Sequence, residues 1–276
     1  MTLFRRPALA AFALFLVSAC GTSFVVPELT PEAQTEARAV FLSTQSEGAR
    51  PSIPRAAAEA RFRRVARRVA PVGARYCAME QEQRPDLRCD VDLGIDYVYP
   101  GANAYQTFDR GQPVIRFSMP LLQKTRNDHE VAFILGHEYA HLLARHIEKT
   151  EQQALVGALI GGAIGAAVDA HAVSYGADPN PGLITDSVNA GLAIGSLAYS
   201  QTYELESDTL GTHIAHAAGY DPEIGARFFA LDAERTEVSG ARSFWGTHPA
   251  DETRIATVIS TMDQIRAGQG LRRTAN

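Results

Sequence analysis

Residues 132–146 read AFILGHEYAHLLARH, and this stretch decides how the whole chain is read. His137 and His141 are four residues apart, so on a helix both imidazoles leave one face. They suit two positions of a tetrahedral zinc ion, and Glu138, one residue on, stands beside the metal rather than on it. A carboxylate there can take a proton from an attacking water. Phe133, Ile134, Leu135, Leu142 and Leu143 around the motif require a largely buried helix. The pattern predicts that helix over residues 128–148, with Asn127 or Asp128 as N-cap.

A catalytic zinc takes a third protein ligand and keeps one position open. His146 lies about 140° round the helix from His141 and points elsewhere. Ala144 and Ile147 stand where a metzincin would carry glycine and histidine, so that pattern fails. Glu148 and Glu151, on or next to the same helix, reach the metal poorly. Residues 203–208, YELESD, offer the better choice. Glu204 and Asp208 are again four apart, on a second helix predicted over 199–218 and ended by Gly219. Glu204 is expected to ligate, and Asp208 to accept the N–H of a ligating histidine. Glu206 points away from that face. Gly211 follows on the ligand face, where a missing side chain lets two helices approach.

H-E-x-x-H followed by E-x-E-x-D on a later helix resembles the HtpX and CAAX prenyl protease family of gluzincin peptidases, above all its periplasmic BepA-like branch. Asn103-Ala104 before a strand, residues 128–132 (DHEVA), residues 199–201 (YSQ), residues 219–222 (GYDP) and Thr247-His248-Pro249 with Arg254-Ile255 carry the resemblance further. It covers roughly Asn103 to the end, with Ser207 where alanine is usual. The resemblance implies an α+β, mostly helical, zincin-like fold with a small sheet whose edge strand flanks the H-E-x-x-H helix. It implies one Zn2+ per chain, held by His137, His141 and Glu204, and peptide hydrolysis with Glu138 moving the proton. His248 would either block the metal or hydrogen-bond the transition-state oxyanion. Residues 114–117 (Val114, Ile115, Arg116 and Phe117) are expected to form that edge strand and bind unfolded or misassembled envelope polypeptides as an added strand. The rival reading is a chaperone-like or scaffold lipoprotein that binds such chains without turnover.

Outward from the site, residues 91–99 and 113–118 read as strands. Residues 56–69 read as a helix with Phe62, Val65, Ala66 and Val69 on one face. Its other face carries Arg61, Arg63, Arg64, Arg67 and Arg68, open to solvent or to anionic lipid heads. Residues 154–199 hold Gly157, Gly161, Gly165, Gly191 and Gly195, the spacing of two closely packed helices in a hairpin. Each apolar core there reads as about 10–15 residues, short of a bilayer span. Residues 221–231 and 249–267 read as the last helices.

The N-terminus reads as an export signal over residues 1–19, with Arg5 and Arg6 before an apolar run. Residues 17–20 (VSAC) resemble a bacterial lipobox, so Cys20 is the expected lipidation site and the anchor to a membrane, with Gly21 favouring the outer membrane. Residues 20–54 read as a tether and 55–276 as one peptidase domain. The other two cysteines, Cys77 and Cys89, would form a disulfide in an oxidising compartment. With 26 basic and 31 acidic residues, the net charge of −5 argues against a general nucleic-acid binder.

Overall fold

The computed structural model describes residues 21–47, 50–197, 200–231 and 244–275. The export signal and Cys20 lie outside the described residues. In chain order the elements are α1 (Pro31–Gln45), α2 (Arg55–Gln81), β1 (Asp92–Asp96), β2 (Ala104–Asp109), β3 (Gln112–Ser118), α3 (Met119–Lys124), α4 (Asp128–Leu143), α5 (His146–Ser174), α6 (Pro181–Leu197), α7 (Ser200–Ala217), α8 (Pro222–Ala226), a 3-10 turn (Arg227–Ala230), α9 (Phe244–Thr247) and α10 (Glu252–Arg266). The chain divides into two compact units. One is Ser23–Ala144 with Glu204–Asn276; the other contains Arg145–Tyr203.

In the first unit, α4 is the central helix, buried on nearly every side. Its N-cap is Asn127, whose side chain accepts the Glu130 N–H. Asp128 and Glu130 place negative charge on its positive end. The helix ends where Arg145 takes a left-handed conformation, φ 58°. α2 runs 27 residues, well past the stretch that its apolar stripe marks out. Phe62, Val65 and Val69 are buried along it, Phe62 against the Phe117 ring. The arginine face of α2 is largely engaged within the protein. Arg64 grips Asp128 through two 2.6 Å bonds, Arg61 donates to the carbonyls of Thr125 and Arg126, and Arg68 lies over the Tyr220 ring. These contacts anchor α2 to the start of α4, and Arg64 stays half exposed while doing so.

The sheet has the order β1-β3-β2, with β1 parallel and β2 antiparallel to β3. This corrects one expectation: Val114, Ile115, Arg116 and Phe117 lie in the central strand. Both sides of their backbone are paired, so no peptide can add there. The edge strand beside α4 is β2, joined to β3 by a two-residue turn in which Arg110 (φ 47°) and Gly111 (φ 80°) are both left-handed. Periodicity missed β2 because its two buried positions are Ala104 and Gln106.

Residues 23–47 are seated rather than a loose tether. Phe24 is 1% exposed, and α1 packs Ala33 and Ala37 inward. A disulfide joins Cys77 on α2 to Cys89, with Cα atoms 5.6 Å apart.

In the second unit, α5 and α6 form an antiparallel hairpin. A Cβ on Gly161 would sit 2.1 Å from the Ser187 carbonyl oxygen, and one on Gly191 at 2.1 Å from that of Gly157. Only glycine permits this approach. α5 is longer than its charge-free core suggests, at 29 residues. By length and composition it is able to cross a membrane. Its large apolar residues are exposed, among them Leu159 (63%) and Ile160 (56%).

Candidate metal centre

Two helices carry the site. α4 brings His137, Glu138 and His141; α7 brings Glu204 and Asp208. They touch backbone to backbone at Gly136 and Gly211, where a Cβ on Gly211 would lie 2.9 Å from the His137 nitrogen. His248 enters from the end of α9, its N–H bonded to the Phe244 carbonyl at 2.7 Å.

The donor atoms of His137, His141, Glu204 and His248 lie within 4.8 Å of one another. His137 Nε2 is 2.9 Å from His141 Nε2, 3.4 Å from Glu204 Oε2 and 3.3 Å from His248 Nδ1. His141 Nε2 is 3.3 Å from Glu204 Oε1, and His248 Nδ1 is 2.9 Å from Glu204 Oε2. Donors on a tetrahedral zinc stand roughly 3.3 Å apart. The set therefore has the spacing and the mixed imidazole–carboxylate chemistry of a metal centre.

The surrounding bonds orient the donors. Asp208, an acceptor when ionised, is 2.9 Å from His137 Nδ1, so Nδ1 carries hydrogen and donates. His137 Nε2 then presents its lone pair to the cluster whenever the ring is neutral. Asp208 is itself held by Arg254, through two 2.7 Å bonds from Nε and Nη2. Arg254 Nη1 also stands 3.1 Å from Glu204 Oε2, and its guanidinium lies 4.1 Å from the Phe229 ring centre. Sequence reasoning gave Arg254 no role at the site. Its signal is a bare R-I pair 46 residues from Asp208 in sequence.

Glu138 is buried, and its Oε1 accepts no hydrogen bond. His248 Nε2 stands 3.5 Å from it. An orphaned carboxylate oxygen next to converged donors suits a general base awaiting its proton.

The cluster's carboxylates favour a proton on His137, which a bound metal ion would displace. Burial works to lower the pKa of His137, but Glu204 and Asp208 prevail and hold it at about 9. For His141 burial wins, aided by the neighbouring His137, and the pKa falls. Burial opposes ionisation of Glu204 and Asp208, yet His248, Arg254 and His137 lower the first, and Arg254 and His137 the second.

An H-E-x-x-H helix crossed by a second acidic helix, around a buried cluster of three histidines and a glutamate, defines a metallopeptidase centre. The chain belongs to peptidase family M48, whose model matches residues 59–262. Over 150 residues it is 27% identical to a beta-barrel assembly-enhancing protease of Yersinia pestis, and 28% identical to those of Escherichia coli (strain K12) and Shigella flexneri. The match takes in 53% of this chain but only 30% of each relative.

Proposed function

We propose that this metallopeptidase is a zinc endopeptidase of the bacterial envelope that cleaves unfolded or misassembled polypeptides. The observation that carries the reading is Glu138, buried with an oxygen that accepts no hydrogen bond beside four converged donors. His137, His141 and Glu204 would hold the ion, which would supply a Lewis acid toward water and the scissile carbonyl. Glu138 takes a proton from the attacking water and returns it to the leaving amine. Asp208 keeps His137 in its ligating tautomer, and Arg254 keeps Asp208 in place.

His248 would be a fourth donor in this arrangement, and substrate entry would require it to swing aside. An extended polypeptide adds to the outer edge of β2, which runs beside α4 and has no ladder partner on that side among the described residues. Such pairing ignores most side chains, and so suits substrates that have lost their fold. A lipid anchor at Cys20, following a signal over residues 1–19, keeps the enzyme at the membrane, the outer one being favoured by Gly21.

The test is cleavage of denatured casein with and without chelator, in the wild type and in Glu138→Gln. The variant should retain one zinc per chain and lose at least about a hundredfold in rate. Full metal with undiminished cleavage would remove Glu138 from the mechanism. Metal binding with no cleavage in the wild type would favour the non-hydrolytic, chaperone-like alternative.

A further inference from the structure

Glu206 sits between Glu204 and Asp208 but turns to the opposite face of α7, where it is fully buried. It accepts the backbone N–H groups of Ser23 at 2.5 Å and Phe24 at 2.7 Å. Phe24 forms an isolated antiparallel bridge with Arg273. On either side, the Val25 N–H donates to the Arg272 carbonyl at 2.9 Å and the Thr274 N–H to the Ser23 carbonyl at 3.1 Å. Segments 23–25 and 272–274 thus close together against the back of the acidic helix.

The contacts continue to the histidine helix. Arg273 lies over the Phe24 ring, 5.5 Å from its centre, and pairs with the buried Glu80 on α2. Glu80 also pairs with Arg84, whose Nη2 donates to the Leu143 carbonyl at 2.5 Å. Leu143 is the last residue of α4. One chain of contacts therefore joins the back of α7 to the end of α4, the two helices that carry the metal donors.

We propose that segment 23–25 and Glu206 form a clasp that positions the metal centre, with Glu206 a positioning residue for Glu204 and Asp208. Glu206 is two residues from each of them, so a shift of α7 at this point displaces both at once. Glu204 and Glu206 lie on one turn of α7, so the clasp grips the ligand's turn from behind. Two backbone N–H groups on a buried carboxylate are charge-assisted and directional, so they set the helix position rather than merely cover it. This inference rests on the cluster being a metal centre.

The experiment measures zinc affinity of the full chain by competition with a chromophoric chelator, alongside circular dichroism and thermal unfolding without metal. Glu206→Ala should keep its helical signal and bind zinc at least about tenfold more weakly. Glu206→Gln, which keeps one acceptor oxygen, should recover most of that loss. Saturating zinc should restore kcat with KM unchanged. Ser23→Pro removes one donor of the clasp without touching α7, should weaken zinc binding in the same direction, and decides the matter if Glu206→Ala does not fold. Wild-type zinc affinity in a folded clasp variant would overturn the proposal. Absence of zinc binding by the wild type would instead overturn the metal-centre reading on which it stands.

Discussion

His248 is the residue whose role depends most on a few tenths of an ångström. Its Nδ1 is 2.9 Å from Glu204 and 3.3 Å from His137, a donor's position, while its Nε2 is only 3.5 Å from Glu138. If it closes the open site, His248→Ala should raise cleavage of an unfolded substrate several-fold at unchanged zinc content. A fall in kcat would assign it to the oxyanion instead. His213, further along α7, gives a pH-dependent prediction. Burial, with His216 adding, lowers its pKa from the usual 6.5 to about 4. The folded protein therefore resists protonating it, whereas the unfolded chain does so readily. Its contribution is complete above about pH 6.5 and disappears as the pH falls to about 4, at up to about 1.4 kcal/mol per unit. Urea midpoints at pH 7.5 and 5 should differ less in His213→Gln than in the wild type. Equal differences would refute the assignment.

At the scale of elements, the crossing of α4 and α7 is the joint that builds the site. Gly136 and Gly211 let the backbones meet, and there is no flexible side chain nearby to yield. A Cβ on Gly211 would meet the His137 nitrogen at 2.9 Å and the Gly136 carbonyl carbon at 3.1 Å. Gly211→Ala should cost roughly 1–3 kcal/mol in urea unfolding, and should weaken zinc binding because the helices separate where the ligands lie. A change below about 0.5 kcal/mol would mean that the joint is looser than the distances require. β2 illustrates the converse. It borders α4 as an edge strand, yet little in its own periodicity marks it, since its two buried residues, Ala104 and Gln106, are small or polar.

For the molecule as a whole, segments 23–25 and 272–274 and the disulfide stiffen the unit that holds the site. Cys77–Cys89 closes a loop of 12 residues in sequence separation between α2 and the approach to β1. Reducing it should lower stability by about 3 kcal/mol, measured by urea unfolding with and without reductant. No change would show that the surrounding packing alone holds α2 to the sheet. The clasp at Ser23 also changes the picture of the lipid anchor that we propose at Cys20. Only two residues separate them, a reach of roughly 10 Å when extended. Anchored in this way, the peptidase unit would work close against the membrane surface.

The chemistry of the centre was legible in the sequence because it is encoded locally. Four-residue spacing places His137 with His141, and Glu204 with Asp208, on single helix faces whatever the rest of the chain does. The glycines of the α5–α6 hairpin and Gly211 are legible for the same reason, since a missing side chain at helical spacing anticipates a close approach. Tertiary structure alone decided the rest. Strand order depends on which backbones meet across long loops, so residues 114–117, expected at the edge, became the centre of the sheet. Arg254 reached Asp208 and Phe24 found Glu206 through contacts 46 and 182 residues apart, and His248, placed near the metal in sequence only by the resemblance, joined the donors across 44. No periodicity links such pairs; only the packing that brings buried charges together for mutual compensation does.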